Sequence, residues 1–364
     1  MYSGYITLPG TQKELHYLLV ESQGNWTTDP LIYWTNGGPG CSSMLGFAQE
    51  HGPYRNVEGT TTFVPNPYSW NLNANVLYVE QPAGVGYSYC GAGASSAECK
   101  FDDNSSAADN LAFVIEWFKQ WPEYKNHELF LTGESYAGIY VPLLAHQMSL
   151  YNDNQTSPDT KLPLNGMLVG NGCTNWTYDT MPATLEEAYP KALMGQELHD
   201  KMVADMCDYT NLQFPDQPQP TPVCDGYLNE FMTYIEDIDI YNLYMPASAN
   251  PVSPAPPNSC SKGTTKSNVL SFTQYLENIY KNASDIETTP ANKKLDTASW
   301  YQPYLKRAQK KAGLCGDDPL TANWITNFFN STVTRTALHI PDRSPFQDWT
   351  MCANLDYTIL QQGS

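Results

Sequence analysis

The run with the densest chemistry is Gly133-Glu134-Ser135-Tyr136-Ala137-Gly138. It follows the apolar residues 129–131 and precedes a helical pattern that starts at Ala137. A serine on a sharp strand-to-helix turn lifts its hydroxyl above the sheet, where it can attack a carbonyl carbon. Small residues beside it let the turn close without a Cβ collision. A second run, Trp34-Thr35-Asn36-Gly37-Gly38-Pro39-Gly40-Cys41-Ser42-Ser43, follows another strand segment. Backbone amides in such a loop supply one half of an oxyanion-binding pair, and the amide after the nucleophile, that of Tyr136, supplies the other. A phosphate-cradling loop is excluded, because no G-x-x-x-x-G-K pattern and no following Lys occur.

These groups need a scaffold that holds two strand ends side by side. Residues 5–8 and 15–20 flank the turn signal Pro9-Gly10 and predict an antiparallel hairpin. Residues 31–35, 75–79, 128–131 and 164–169 read as strands. Residues 105–121 predict a helix capped by Asn104 or Ser105 and stopped before Pro122. Residues 137–150 predict a second helix. This alternation means an α/β chain with a largely parallel sheet. After Gly172 the rhythm is lost, and nine prolines fall between Cys207 and Cys260. Aromatics such as Phe231, Tyr234, Tyr241 and Tyr244 favour packing there over a loose linker. We therefore expect a core over residues 1–174, a cap insertion over 175–310, and a return to the core over 311–364.

Composition narrows the partners. The chain has 364 residues, 19 basic against 38 acidic, for a net charge of −19. Nucleic acid and anionic membrane surfaces need basic patches, so both are excluded as partners. Only 16% of residues are charged, so the acidity comes from scarce Lys and Arg, not from an acidic tail. No apolar run approaches the roughly 18 residues of a membrane span. Nine cysteines without a C-x-x-C pair argue for disulfides in an oxidising compartment. Six sequons, at Asn25, Asn104, Asn154, Asn175, Asn282 and Asn330, agree with a secretory route and glycosylation. The opening MYSGYITLPG lacks the features of a signal peptide, so an upstream start or a removed leader is expected.

The segments NGGPGCSS (36–43), NPYSWN (66–71), VEQPAGVGYSY (79–89) and TGESYAGIYVP (132–142) resemble the serine carboxypeptidase family, including its lysosomal cathepsin A and carboxypeptidase Y-like members. IDIYNLYMP (238–246) and ALHIP (337–341) resemble its later landmarks, in family order. The resemblance implies an α/β-hydrolase fold with a large cap insertion, and release of C-terminal residues from peptides at acid pH through an acyl-enzyme. No metal or organic cofactor is implied. Ser135 matches the nucleophile, and Gly38 and Tyr136 match the oxyanion-hole amides. Asn36, Glu50 and Glu134 match the groups that bind the substrate's terminal carboxylate. Two close carboxyls cannot both ionise cheaply, so one keeps its proton and can donate to that carboxylate. The resemblance also implies a lysosomal, vacuolar or extracellular location, and allows a homodimer. Cys41 with Cys352 matches a family disulfide. Cys90 with Cys99 would close a small loop, and Cys207 with Cys224 and Cys260 with Cys315 would staple the cap. Cys173 is then left as a free thiol.

One part of the chemistry is missing. A triad of this kind runs Ser, acid, His along the chain. Only His146, His199 and His339 follow Ser135. His146 falls on the helix after the elbow, His199 in the cap, and His339 in ALHIP, which in the family is a structural landmark. The family's G-x-G-H-x-x-P and N-G-D-x-D-like segments do not occur in these residues. We assign no catalytic Asp or His. The expectation is that they lie on a C-terminal segment or a second chain, with the last strands of the sheet, and that this chain alone turns over little. The alternatives are an inactive binding or protective homologue and a serine carboxypeptidase-like acyltransferase.

Overall fold

The computed structural model describes residues 1–56, 62–93, 95–175, 178–179, 181–212, 218–235, 238, 243, 323–341, 348–353 and 355–358. In chain order the strands are β1 (Tyr2–Thr7), β2 (Lys13–Val20), β3 (Leu31–Thr35), β4 (Tyr54–Asn56), β5 (Phe63–Pro65), β6 (Asn75–Val79), β7 (Tyr89–Cys90), β8 (Lys100–Asp102), β9 (Leu129–Glu134), β10 (Leu164–Gly170) and β11 (Asp356–Thr358). The helices are α1 (Asp103–Gln120), α2 (Ala137–Asp153), α3 (Met181–Ala188), α4 (Gln196–Ala204), α5 (Pro222–Tyr234), α6 (Asn323–Asn330) and α7 (Thr332–Ala337).

The main sheet has the order β1-β2-β6-β3-β9-β10, with β7 also on β2. The β1–β2 and β2–β6 pairs are antiparallel, and β6, β3, β9 and β10 run parallel. β4 pairs with β5, and β8 with β11, in two small sheets. This is the expected α/β architecture with a mostly parallel centre. β6 is buried along its whole length, as a sheet covered on both faces requires. Parallel neighbours β3 and β9 end together, at Thr35 and Gly133 in register, so the loops that follow them emerge side by side.

The hairpin is longer than the alternating runs suggested, with Gly10 in the left-handed region at φ 75° inside its turn. The cap of α1 differs from the sequence reading. Asp102, not Asn104 or Ser105, caps the helix: it accepts from Ser105 N–H at 2.7 Å while Ser105 Oγ accepts from Asp102 N–H at 2.8 Å. The last residue of β8 doubles as the cap, which sequence periodicity does not reveal. On α1, Phe113, Val114, Trp117 and Phe118 turn inward at helical spacing. Ile325 and Phe329 of α6, with Trp349, pack against Leu18, Val20, Trp34, Val76 and Tyr78 of the sheet.

The chain divides into two compact units, Met1–Thr174 with Asn323–Leu360, and Asn175–Ala322 with Gln361–Ser364. In the second unit, α3, α4 and α5 share a core that includes Met181, Leu198, Leu228 and Phe231.

One buried pair ties the first unit together. His16 and Glu80 are both fully buried, with His16 Nδ1 2.9 Å from Glu80 Oε2. Ser3 Oγ gives its single hydrogen to the Leu338 carbonyl, so at 2.8 Å it accepts from His16 Nε2–H. The remaining proton lies between Nδ1 and Oε2. Three further donors, the Ser42 hydroxyl, Tyr87 N–H and Trp349 Nε1–H, end on the same carboxyl group. Removing one partner of such a pair leaves the other buried without its hydrogen bond. His16→Leu is therefore expected to lower the unfolding free energy by about 3–5 kcal/mol, read from urea unfolding. A loss under ~1 kcal/mol would show that this buried pair does not tie the unit together.

Candidate active site

Ser135 sits in the left-handed region, at φ 62°. A non-glycine residue there carries roughly 1–3 kcal/mol of strain that its surroundings must hold. Its N–H donates to the Gly170 carbonyl at 3.0 Å, and its carbonyl accepts from Cys173 and Gly138 N–H at 2.9 Å each. The turn is therefore clamped from β10 and from the start of α2. A Cβ on Gly133 would fall 2.5 Å from both the Thr35 carbonyl and the Ala137 Cβ. That contact explains why both positions carry small residues.

The glycine loop lies directly against this turn. A Cβ on Gly37 would sit 2.3 Å from the Tyr136 amide nitrogen and 3.0 Å from Ser135 Cβ. Only glycine lets the two backbones approach so closely. Gly38 adopts φ 117°, and its N–H has no acceptor among the described residues. The loop is tied back at its far end. Cys41 N–H donates to the Gly37 carbonyl, Ser42 N–H to Met351, and Ala353 N–H to Gly40, at 3.0, 2.8 and 2.9 Å. The Cys41–Cys352 disulfide adds a covalent tie. Tyr136 is held through its ring: its hydroxyl donates to the buried Asp103 carboxylate at 2.6 Å, which Tyr357 also reaches at 2.9 Å.

Beside the turn, the Asn36 side chain brings two carboxyls together. Its amide oxygen accepts from Trp34 Nε1–H at 2.8 Å and Gly46 N–H at 3.0 Å. Those two donors fix the amide orientation, so Nδ2 faces Glu50 at 3.1 Å and Glu134 at 3.2 Å. Glu50 closes a single π-helical turn, Gly46–Glu50, a distortion that re-aims one side chain. Part of Glu50 faces solvent, but its carboxyl group is withdrawn from water. That withdrawal, and then the Glu134 charge, push it up from an ordinary value of 4.5 to about 7, against the Asn36 hydrogen bond. Burial also raises Glu134, opposed by Asn36. The site thus holds a nucleophile, amide donors and a carboxyl pair that keeps a proton near neutrality.

All six histidines are accounted for elsewhere. His16 bonds Ser3 and Glu80, His51 bonds the Tyr78 hydroxyl, His127 the Asp29 carbonyl, and His199 Asp200. His146 is exposed on α2 and His339 in the loop after α7. None hydrogen-bonds Ser135. Sequence inspection gives no role to Gly37, Glu80 or Asp103. The only signal for the two acids is that each stands beside an apolar run and a turn, where a solvated charge reads the same.

Three expected disulfides are present: Cys41–Cys352, Cys90–Cys99 and Cys207–Cys224. Cys173 is free. Cys260, Cys315 and Asn282 lie outside the described residues. Asn25, Asn104, Asn154 and Asn175 are exposed. Asn330 is not: its amide donates to the Trp349 carbonyl at 2.9 Å and accepts from Trp349 N–H at 2.6 Å. Among the described residues no helix is long and apolar enough to cross a membrane.

Comparison with known proteins gives a consistent result. A family model described as serine carboxypeptidase matches residues 1–363. The mouse (Mus musculus) lysosomal protective protein is 34% identical over 367 residues, covering 99% of this chain and 69% of that protein. Serine carboxypeptidase-like 21 of Arabidopsis thaliana is 31% identical over 373 residues, covering 98% of this chain and 70% of that protein. Among solved structures, Kex1, a prohormone-processing carboxypeptidase of Saccharomyces cerevisiae, superposes with a TM-score of 0.60 at 20% identity. That alignment covers 97% of this chain and 66% of the Kex1 chain.

Gly37→Ala is expected to push the loop off the Tyr136 amide and destabilise the protein by about 1–3 kcal/mol. Gly170→Ala has nothing within 4 Å of the new Cβ and should stay within ~0.5 kcal/mol. Equal unfolding midpoints for the two variants would show that the loop does not pack as described.

Proposed function

We propose that this chain, which belongs to the serine carboxypeptidase family, carries the nucleophilic half of an acid carboxypeptidase. The observation that supports this most is the Glu50–Asn36–Glu134 cluster next to Ser135. A protonated carboxyl in that pair donates to the terminal carboxylate of a peptide. Such a group selects a chain end over an internal bond, which an ordinary acyl-transfer site does not do. Asn36 already directs both amide hydrogens at the pair, so its part is to hold the two carboxyls in place.

In this reading the last peptide carbonyl lies over Ser135. The Ser135 Oγ attacks it while a base removes the hydroxyl proton. The Gly38 and Tyr136 N–H groups receive the oxyanion. The C–N bond breaks, the C-terminal amino acid leaves with that proton, and water then releases the acyl group. The base and its orienting acid come, in this proposal, from a segment or second chain outside these residues. Two facts support that. No histidine of this chain reaches Ser135, and the chain spans about two thirds of the relatives it matches. Among the described residues β10 pairs only with β9, and Met167 and Leu168 stand exposed at 54% and 58%, a surface suited to further strands. That residues 175–310 are a cap insertion belongs to the same proposal. Glycosylation, a homodimer, and a lysosomal, vacuolar or extracellular site belong to the same proposal.

The test is release of the C-terminal residue from N-blocked dipeptides by the natural protein with any partner chain retained. Ser135→Ala should lower the rate by roughly 10⁴–10⁶-fold. Release that persists in Ser135→Ala, or its absence in the wild type at acid pH, would overturn the reading.

The carboxyl pair gives a pH dependence with a definite sign. Glu50 keeps its proton below about 7 and loses it as pH rises through about 7. A donor then becomes a repelling charge, so KM should rise with pH across that range while kcat follows the base. Because the shift is upward, the folded state is favoured below 4.5, and that advantage is lost as pH rises through about 7. Glu50→Gln cannot ionise and should flatten the KM profile. An equally steep profile in Glu50→Gln would assign the dependence to another group.

A further inference from the structure

Four hydrogen bonds end on the Glu80 carboxylate. Oε1 accepts from the Ser42 hydroxyl and from Trp349 Nε1–H at 2.9 Å. Oε2 accepts from Tyr87 N–H and from His16 Nδ1–H, each at 2.9 Å. Glu80 and Ser42 are both fully buried. Room for the carboxylate is made at Gly86, where φ is 55° and a Cβ would overlap the Glu80 carboxyl group. The site is therefore built around the acid.

Its neighbour does the same for the next residue of the loop. Ser43 Oγ donates to the Val79 carbonyl at 2.5 Å and accepts from Asn36 N–H at 3.2 Å. Ser42 Oγ accepts in turn from Met44 N–H and Trp349 Nε1–H, at 3.1 Å each. Consecutive serines are thus hung on consecutive residues at the end of β6. The stretch that must present the Gly38 amide, Gly37 to Cys41, lies outside the main sheet and the helices, and among the described residues is tied only at its far end, to Ala353 and Cys352. Oxyanion stabilisation requires donors fixed before the charge develops.

We propose that Glu80 and Ser42 are positioning residues for the oxyanion hole, holding the Gly38 amide in register with the Tyr136 amide. Neither touches substrate, because both are sealed from solvent. The proposal rests on the carboxypeptidase reading above. The geometry of Ser3, His16 and Glu80 mimics a catalytic triad, but His16 donates to Ser3 and is closed to substrate. It serves the same anchoring role.

Two ligands separate positioning from general stability. A peptide aldehyde adds to Ser135 and puts its oxygen where the oxyanion forms. The free C-terminal amino acid meets only the Glu50–Glu134 region. Ser42→Ala removes one hydroxyl while leaving Glu80 its other three donors, so the fold is retained. Glu80→Gln places an amide NH₂ against two donors and serves as the stronger variant. In the natural protein, Ser42→Ala should weaken the aldehyde about tenfold or more and lower kcat in proportion. KM and amino-acid binding should stay within about twofold, and the urea midpoint is the fold control. Unchanged aldehyde affinity, or equal losses for both ligands, would overturn the proposal. If the wild type binds aldehyde and Ser42→Ala matches it, the positioning role alone fails. If the wild type binds no aldehyde, the carboxypeptidase reading fails and takes the positioning role with it.

Discussion

A single buried carboxylate, that of Glu80, joins parts of the chain that are far apart in sequence. Its donors come from β2, from the loop after β3, from the glycine run after β6, and from Trp349 beyond α7. Burying a charge is unfavourable unless hydrogen bonds and an opposite charge replace the lost water. Here each carboxylate oxygen has two donors, and one of those donors is His16. A hydrophobic cluster of the same volume could hold these segments about as firmly. It would not fix their rotation or register, because dispersion contacts lack direction. The charge therefore serves geometry more than stability.

The carboxyl pair at Glu50 and Glu134 shows the opposite arrangement with the same chemical group. There, two acids face one amide, each receives a single hydrogen from Asn36, and among the described residues no cation pairs with either. Electrostatics that would be a fault in a core become useful where a substrate carboxylate can bind. A carboxyl that stays protonated near neutrality can recognise another carboxylate, which an ionised one repels. In the proposed reading the first environment fixes a loop and the second supplies a proton to the substrate's carboxylate. The distance between them is short in sequence terms, since Asn36, Ser42, Ser43 and Glu50 all follow the same strand.

Much of this was legible in the sequence. The parallel core followed from alternating strand and helix patterns. The elbow followed from Gly133, Ser135 and Ala137 in a strand-to-helix context, and the disulfide Cys41–Cys352 from family resemblance. Less legible features depend on contacts between distant residues. Asp102 caps α1 because β8 ends there, and β8 exists only through its pairing with β11. Gly37 reads as one glycine among three until the Tyr136 amide is seen against it. Glu80 reads as a strand-end charge, since nothing local signals a histidine 64 positions earlier. Asn330 reads as an open sequon, and nothing local signals the Trp349 backbone bonded to its amide.

The central claim is that Ser135 is a nucleophile held against a formed oxyanion hole. The direct measurement is covalent labelling of the natural protein at acid pH with a fluorophosphonate, followed by peptide mass mapping. The serine oxygen displaces fluoride from phosphorus, so one adduct per active site forms on the nucleophile. The account predicts a stoichiometric adduct on the peptide containing Ser135. Label on another serine, or an unlabelled Ser135 in full-length material, would contradict it.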